Sequence, residues 1–285
     1  MTSLAGAAPN LRLANRLGLG AIALTGLVAA AGLLIPGLYR DREILIEATR
    51  ADNLFQLAVA VPLSLAALGA ARRGSINGQL IVFGTLMYLA YFFGLYAVAA
   101  VVGGLTIAQV TIVGLAIWAL LLGLPALDAT LVGQEIGKRL FRRTTVAFLL
   151  LVAGFHIPLW VGQILGTAVS GQLPAALIEF GWLNTPVYTF DLAFALPLAV
   201  VAATFLARGD PRGPTLAVSF LWFSLLLAAD MVVEQLWIAF AAGTLDASQA
   251  IPFGMIALLS GLVVAPTLAR RPREDAIKTR AVRAA

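Results

Sequence analysis

Eight apolar stretches follow one another along the chain, separated by short polar or glycine-rich breaks. They run over Leu17–Tyr39, Leu54–Ala71, Gln79–Val102, Leu105–Leu127, Thr144–Val169, Pro186–Ala207, Pro214–Ala241 and Ala250–Ala269. About 20 apolar residues in helical conformation span a bilayer, and each stretch is near that length. Alternating segments of about 10 residues, which a transmembrane barrel needs, do not appear. The pattern predicts an all-α membrane protein with eight transmembrane helices. The thinnest division is between the third and fourth stretches, where only Gly103-Gly104 marks a turn.

Composition agrees with this reading. Of the 285 residues, 61% are apolar and 12% charged, against about 45–50% and about 25% in soluble domains. The mean hydropathy is +0.95. A water-soluble fold, a disordered chain and a nucleic-acid-binding module are excluded. The chain has no Cys and a single His, His156. Disulfides, thiolate nucleophiles, Fe–S clusters, bis-His haem and H-E-x-x-H zinc sites are therefore unavailable within one chain. Lys138 and Lys278 both lie outside the apolar runs, so no buried Schiff-base lysine is expected. The sequence calls for no cofactor.

The net charge of +5 is not spread evenly. Arg12, Arg16, Arg72, Arg73, Lys138, Arg139, Arg142, Arg143, Arg208, Arg212 and the six basic residues after Ala269 all fall in connections on one side. Of the 19 basic residues only Arg40, Arg42 and Arg50 fall on the other. The positive-inside rule then puts both termini in the cytoplasm, as an even number of spans requires. The expected location is a bacterial inner (plasma) membrane. The partners are the lipid bilayer and, at the basic tail 270–285, anionic lipid headgroups rather than nucleic acid.

The chain also repeats itself. Shifted by 135 residues, Phe55, Pro62, Arg73, Gly74 and Gly78 fall on Phe190, Pro197, Arg208, Gly209 and Gly213 without a gap. Ala31-Gly32-x-x-Ile35-Pro36 in the first span matches Ala153-Gly154-x-x-Ile157-Pro158 in the fifth. Two parallel four-helix repeats are expected, 1–140 and 141–269, followed by the tail 270–285. An even number of spans per unit inserts both with the same orientation, and substrate sites in repeat-built transporters lie at the repeat interface. Pro36, Pro62, Pro158 and Pro197 are expected inside spans. There they either break helices around a site or kink them for packing.

Charge inside the apolar stretches is the main functional signal, because embedded ionisable groups are costly. Asp191, Asp230, Glu234 and His156 fall in the sixth, seventh and fifth stretches. Asp230 and Glu234 are one helical turn apart and share a face. Asp191 and Glu234 should lie roughly 7–11 Å below the outer surface, at about 1.5 Å per residue. All four can reach the outer half of one cavity, with Gln163, Tyr188 and Asn184 as polar neighbours. In the first repeat the matching residues are Gln56, Leu95, Ala99 and Leu34, so a single asymmetric site is expected. Carboxylates in low dielectric can carry protons, which suits a substrate site or proton relay. The same residues could bind a divalent metal, although no metal-ligand motif is present. They could also simply pair with Arg40, Arg42 or Arg50.

The first outer connection, residues 40–53, mixes charges of both signs and reads as a solvated turn or an interfacial helix. Tyr39, Trp160, Trp182, Tyr188 and Trp237 read as an interfacial aromatic belt. Gly74-Ser75-Ile76-Asn77-Gly78 and Gly209-Asp210-Pro211-Arg212-Gly213 read as short turns without Walker spacing. No G-x-S-x-G elbow occurs.

The runs Ile35-Pro36-Gly37-Leu38-Tyr39-Arg40-Asp41, Arg72-Arg73-Gly74-Ser75 and Tyr188-Thr189-Phe190-Asp191, with Pro197-Leu198 and Met87-Tyr88-Leu89-Ala90-Tyr91-Phe92, resemble an uncharacterised group of bacterial multi-pass inner-membrane proteins. The resemblance implies an integral membrane protein and transfers no site residue. The function expected from the residues is transport of a small solute through a periplasm-facing carboxylate site, with proton coupling as an option. A structural, assembly or sensing subunit is one alternative. An intramembrane enzyme or metal-binding protein is the other.

Overall fold

The computed structural model describes residues 9–182, 185–242 and 247–269. Asn184 and the basic tail lie outside the described residues. Every regular element among the described residues is helical: α1 (Pro9–Leu34), α2 (Glu43–Phe55), α3 (Val61–Arg72), α4 (Ile76–Ala99), α5 (Thr106–Ala126), α6 (Ala129–Ile136), α7 (Arg142–Ser170), α8 (Ala175–Phe180), α9 (Pro186–Phe190), α10 (Leu196–Arg208), α11 (Gly213–Ala242) and α12 (Ala247–Ala269). Eight runs are long and apolar enough to cross a membrane. Two of them are composite: α2 and α3 join through a π-helical turn at Gln56–Ala60, and α9 and α10 through another at Asp191–Ala195. The chain is thus an all-helical, polytopic membrane protein.

The two π-turns have the same cause. A proline follows each one, Pro62 and Pro197, at the start of the next helix. Proline has no N–H and its ring crowds the carbonyl four residues back. The helix inserts one residue instead. The Val61 N–H bonds the Gln56 carbonyl and the Leu196 N–H bonds the Asp191 carbonyl, five residues back in both cases. The spans therefore continue through these prolines. Pro158 also lies inside a helix, α7. Pro36 does not: α1 stops at Leu34, and Pro36 lies in the turn after it, with Gly37 in the left-handed region (φ 74°).

The second span is longer than its apolar core suggests. The helix begins at Glu43, so most of the charged stretch expected to be a solvated turn is membrane helix, with Asp52 and Asn53 buried in it. The hydrophobic stripe explains the correction. Leu45, Ala48, Asp52, Phe55 and Ala60 follow one helix face and are buried, while Arg50 between them is exposed.

Burial ranks the spans. In α4, 78% of the apolar window is buried and in α11 56%, against 22–39% for the other six. These two helices form the centre and pack against each other. Close approach requires Gly84: a Cβ there would lie 2.4 Å from the Ser219 carbonyl oxygen and 2.8 Å from the Trp222 Cβ. Around this pair the first four spans close a ring in which α1 packs along α5, α5 on α4, α4 on α3 and α3 on α1. A reciprocal amide pair, Asn15 and Gln79 at 3.0 Å in both directions, ties α1 to α4 inside the ring. The last four spans do not close in the same way. α10 packs on α7 and α11, and α12 on α11, but α7 and α12 barely touch.

Connections on one face carry Arg72, Arg73, Lys138–Arg143, Arg208 and Arg212; we call it the basic face and its opposite the distal face. On the basic face Ser75 caps α4 by accepting from the Gly78 N–H (3.1 Å). Asp210 accepts from Arg212 in the turn between α10 and α11 (2.7 and 3.0 Å), which lowers its carboxyl to about 2. On the distal face Arg42 donates to the Ile178 carbonyl oxygen (2.7 Å) at the end of α8.

Gly84→Ala is expected to force α4 and α11 apart and to lower stability by about 1–3 kcal/mol, the usual range for overpacking. Gly114→Ala, where a Cβ meets nothing within 4 Å, should leave it unchanged or slightly raised. Thermal unfolding of the two variants in one detergent measures the difference.

Candidate functional site

Three carboxylates are buried where α2 faces α11. Asp52 and Asp230 are fully buried and Glu234 is 7% exposed. The helices run antiparallel, so partners pair in reverse order: Trp237 Nε1 donates to Glu47 (3.0 Å) nearest the distal face, Asp52 lies within electrostatic range of Asp230 and Glu234, and Gln56 and Asp230 both lie beside Tyr88. Two tyrosines of α4 complete the group. The Tyr96 hydroxyl donates to Asp52 Oδ2 (2.7 Å) and the Tyr88 hydroxyl to Asp230 Oδ2 (2.5 Å). Glu234 accepts from Gln235 (3.3 Å).

The group is incompletely satisfied. Asp52 Oδ1, Asp230 Oδ1 and both amide atoms of Gln56 are buried and make no hydrogen bond. Such groups are rare in a folded interior and call for an explanation. Among the described residues none of the three carboxylates forms an ion pair. Arg50 pairs with Glu47 and Arg42 is engaged with α8, so these arginines of the first distal connection do not neutralise the trio. Among the described residues no three of His, Asp and Glu are close enough to hold a metal ion together.

The remaining expected site residues form a second group. Asp191, the first residue of its π-turn, accepts from the Tyr91 hydroxyl (2.8 Å) and from Trp160 Nε1 (2.7 Å). Tyr188 donates to Gln163 Oε1 (2.5 Å) and stacks on Trp160, with ring centroids 4.4 Å apart. His156 lies within electrostatic range of Asp191 and against Trp160, its Nδ1 2.8 Å from the Val152 carbonyl oxygen. The six expected residues thus divide: Asp230 and Glu234 face Asp52, while Asp191, His156, Gln163 and Tyr188 face one another across α7 and α9. No hydrogen bond among the described residues links one group directly to the other. Sequence reasoning misses Asp52 and Gln56 because the charged neighbours of Asp52 disguise a helix. The signal that finds them is the stripe Leu45, Ala48, Asp52, Gln56, spaced by three or four residues.

The distal aromatic residues are turned inward rather than standing as a lipid belt. Tyr39 accepts from the Asn53 side chain (2.9 Å), and burial pushes its hydroxyl above its ordinary value. Trp160, Tyr188 and Trp237 all bond interior polar groups. A cavity of about 10 Å³ lies among Tyr39, Asp41, Tyr96, Thr106 and Gln109, room for one water at most. Tyr96, whose hydroxyl bonds Asp52, is one of the residues that line it.

The fold and these groups define a class: a multi-pass helical membrane protein with an acidic, tyrosine-lined interior. No protein-family model, no curated protein and no solved structure matches the chain.

Tyr96→Phe strips Asp52 of its only hydrogen bond and should cost about 1–3 kcal/mol, the range for an orphaned buried polar group. Adding Asp52→Leu, which makes the second partner apolar as well, should recover part of the loss. Unfolding of the single and double variants checks this, because touching residues couple.

Proposed function

We propose that this protein is a proton-coupled carrier of a small solute in a bacterial inner membrane, with Asp52, Asp230 and Glu234 as its proton-handling centre. The observation that carries the reading is the unneutralised, under-bonded carboxylate trio. Three ionised carboxylates side by side in an apolar interior would repel one another and lose their hydration together. The trio is therefore held with protons aboard. Gaining or losing that charge changes the attraction between α2 and α11, which join the two halves of the chain.

The two halves are read as parallel four-helix repeats, 1–140 and 141–269, with a pseudo-two-fold axis between α4 and α11. The two π-turns support this, since Gln56–Ala60 and Asp191–Ala195 stand 135 residues apart, in the same register as the sequence matches. Repeat-built carriers work by rocking one unit against the other around a central site. π-Turns are local departures from helical bonding that recur at functional sites, and here one begins at buried Gln56 and the other at half-buried Asp191. Both termini are read as cytoplasmic, from the concentration of basic residues on one face.

In proteoliposomes carrying an internal pH dye, the wild-type protein should dissipate an imposed proton gradient when its solute is present. Asp230→Asn with Glu234→Gln should slow this at least tenfold while leaving thermal stability near wild type. Equal flux with and without the two carboxylates overturns the reading. A reporter active only in the cytoplasm and fused after Ala285 should be active, and activity of a periplasmic reporter there reverses the orientation.

A further inference from the structure

Beyond Ala153, α7 is a helix almost without neighbours. From Gly154 to Ser170 no residue is buried, and only His156, Trp160, Gln163 and Thr167 are half-buried. These four are spaced by four, three and four residues, so they form one stripe on an otherwise exposed helix. The stripe is attached to the rest of the protein by side chains: Trp160 to Asp191, Gln163 to Tyr188, and the stacked Trp160–Tyr188 rings. The other wall is equally open. In α12 the buried residues are Ser260, Val263, Val264 and Thr267, all in its half nearest the basic face. α7 and α12 make little contact with each other, and each is buried only in its half nearest the basic face.

Asp191 lies behind the α7 stripe, bonded to Trp160. Its carboxylate has two neutral donors, Tyr91 and Trp160, and no ion pair with any Lys or Arg among the described residues. A carboxylate held by hydrogen bonds, without a fixed cation and beside stacked Trp and Tyr faces, suits an organic cation. The negative charge attracts it, and the ring faces add cation–π attraction, strongest at Trp. Exposed apolar residues on the two walls, such as Leu159 and Leu165 on α7 and Met255 and Leu258 on α12, suit the apolar body of such a molecule.

We propose that Asp191, Trp160 and Tyr188 form a binding site for amphipathic organic cations that enter from the bilayer between α7 and α12. The site names a substrate class for the carrier proposed above, and it rests on that reading only for the transport step, not for binding. The ligand's charged group takes the place of Trp160 Nε1 at Asp191, and its apolar part lies along the outer half of α7.

The test is binding of tetraphenylphosphonium to the purified full-length protein in lipid nanodiscs, measured by equilibrium dialysis against empty nanodiscs. Saturable binding above the lipid background is expected. Asp191→Asn should weaken it at least tenfold, and Trp160→Leu, which leaves the carboxylate in place, should weaken it several-fold. Tetraphenylborate, similar in shape and opposite in charge, should not compete. Asp230→Asn should keep the binding while losing proton flux, and that combination separates this site from the trio. Binding that never exceeds the lipid background, that survives both Asp191→Asn and Trp160→Leu, or that tetraphenylborate displaces equally well overturns the proposal. Parallel loss in Asp230→Asn and Asp191→Asn overturns it as well, by making the two groups one site. Absent proton flux with tetraphenylphosphonium binding intact would overturn the carrier reading alone.

Discussion

The interior is organised by tyrosine hydroxyls of one helix donating to carboxylates of three others. α4 sends Tyr96 to Asp52 on α2, Tyr88 to Asp230 on α11, and Tyr91 to Asp191 in the π-turn before α10. A membrane interior offers these acids no bulk water, and no lysine or arginine among the described residues pairs with them. A phenol is the donor that is also large and apolar enough to sit in a core. The arrangement dictates much else. α4 must be surrounded by all three partners, which makes it the most buried span. It must also lie close to α11, which is why a glycine faces the Ser219 carbonyl. Gly94, whose absent side chain leaves room for the Phe190 ring next to Asp191, serves the same purpose at the third contact.

Hydrophobic length alone made the eight spans legible, because a bilayer sets one length for all of them. The pairing of acids with tyrosines was not legible, for a physical reason. α4 is apolar around its whole circumference, so its sequence has no preferred face and does not say which partner each tyrosine meets. Asp230 and Glu234 could be assigned to a common face because both lie on one helix. Their third partner, Asp52, lies in a run of charges whose composition resembles a loop, although its periodicity is helical. Asp191 does lie near His156, Gln163 and Tyr188. It does not join Asp230, because equal depth in the membrane is not proximity: two groups at one depth can lie on different sides of a central helix.

The trio and the Asp191 group pose different electrostatic problems. Asp191 has both oxygens hydrogen-bonded, one by Tyr91 and the other by Trp160. Asp52 and Asp230 each keep one bare oxygen and face each other with Glu234 between the same helices. Adding a proton to Asp191 would cost it an accepted bond from Tyr91 or Trp160, whereas adding one to Asp52 or Asp230 occupies an oxygen that now has no partner. The geometry therefore leaves a free oxygen for a proton on Asp52 and on Asp230 and none on Asp191. Two acidic groups bonded to tyrosines of one central helix thus differ in how fully their oxygens are satisfied.

The first and fifth spans end differently. α1 stops before Pro36, whereas α7 runs twelve residues past Pro158 to Ser170, where Gly171 ends it with a left-handed backbone (φ 69°). Under the proposed duplication these extra residues have no counterpart in the first half. A helix lengthened in this way outruns the neighbour that would have packed on it, and α12 is buried only near the basic face. The extension carries Trp160 and Gln163, the two side chains that reach Asp191 and Tyr188. The extension thus supplies the stripe that covers the carboxylate behind it, on a helix already exposed from Gly154 onward, while the first half is closed by α1 against α5.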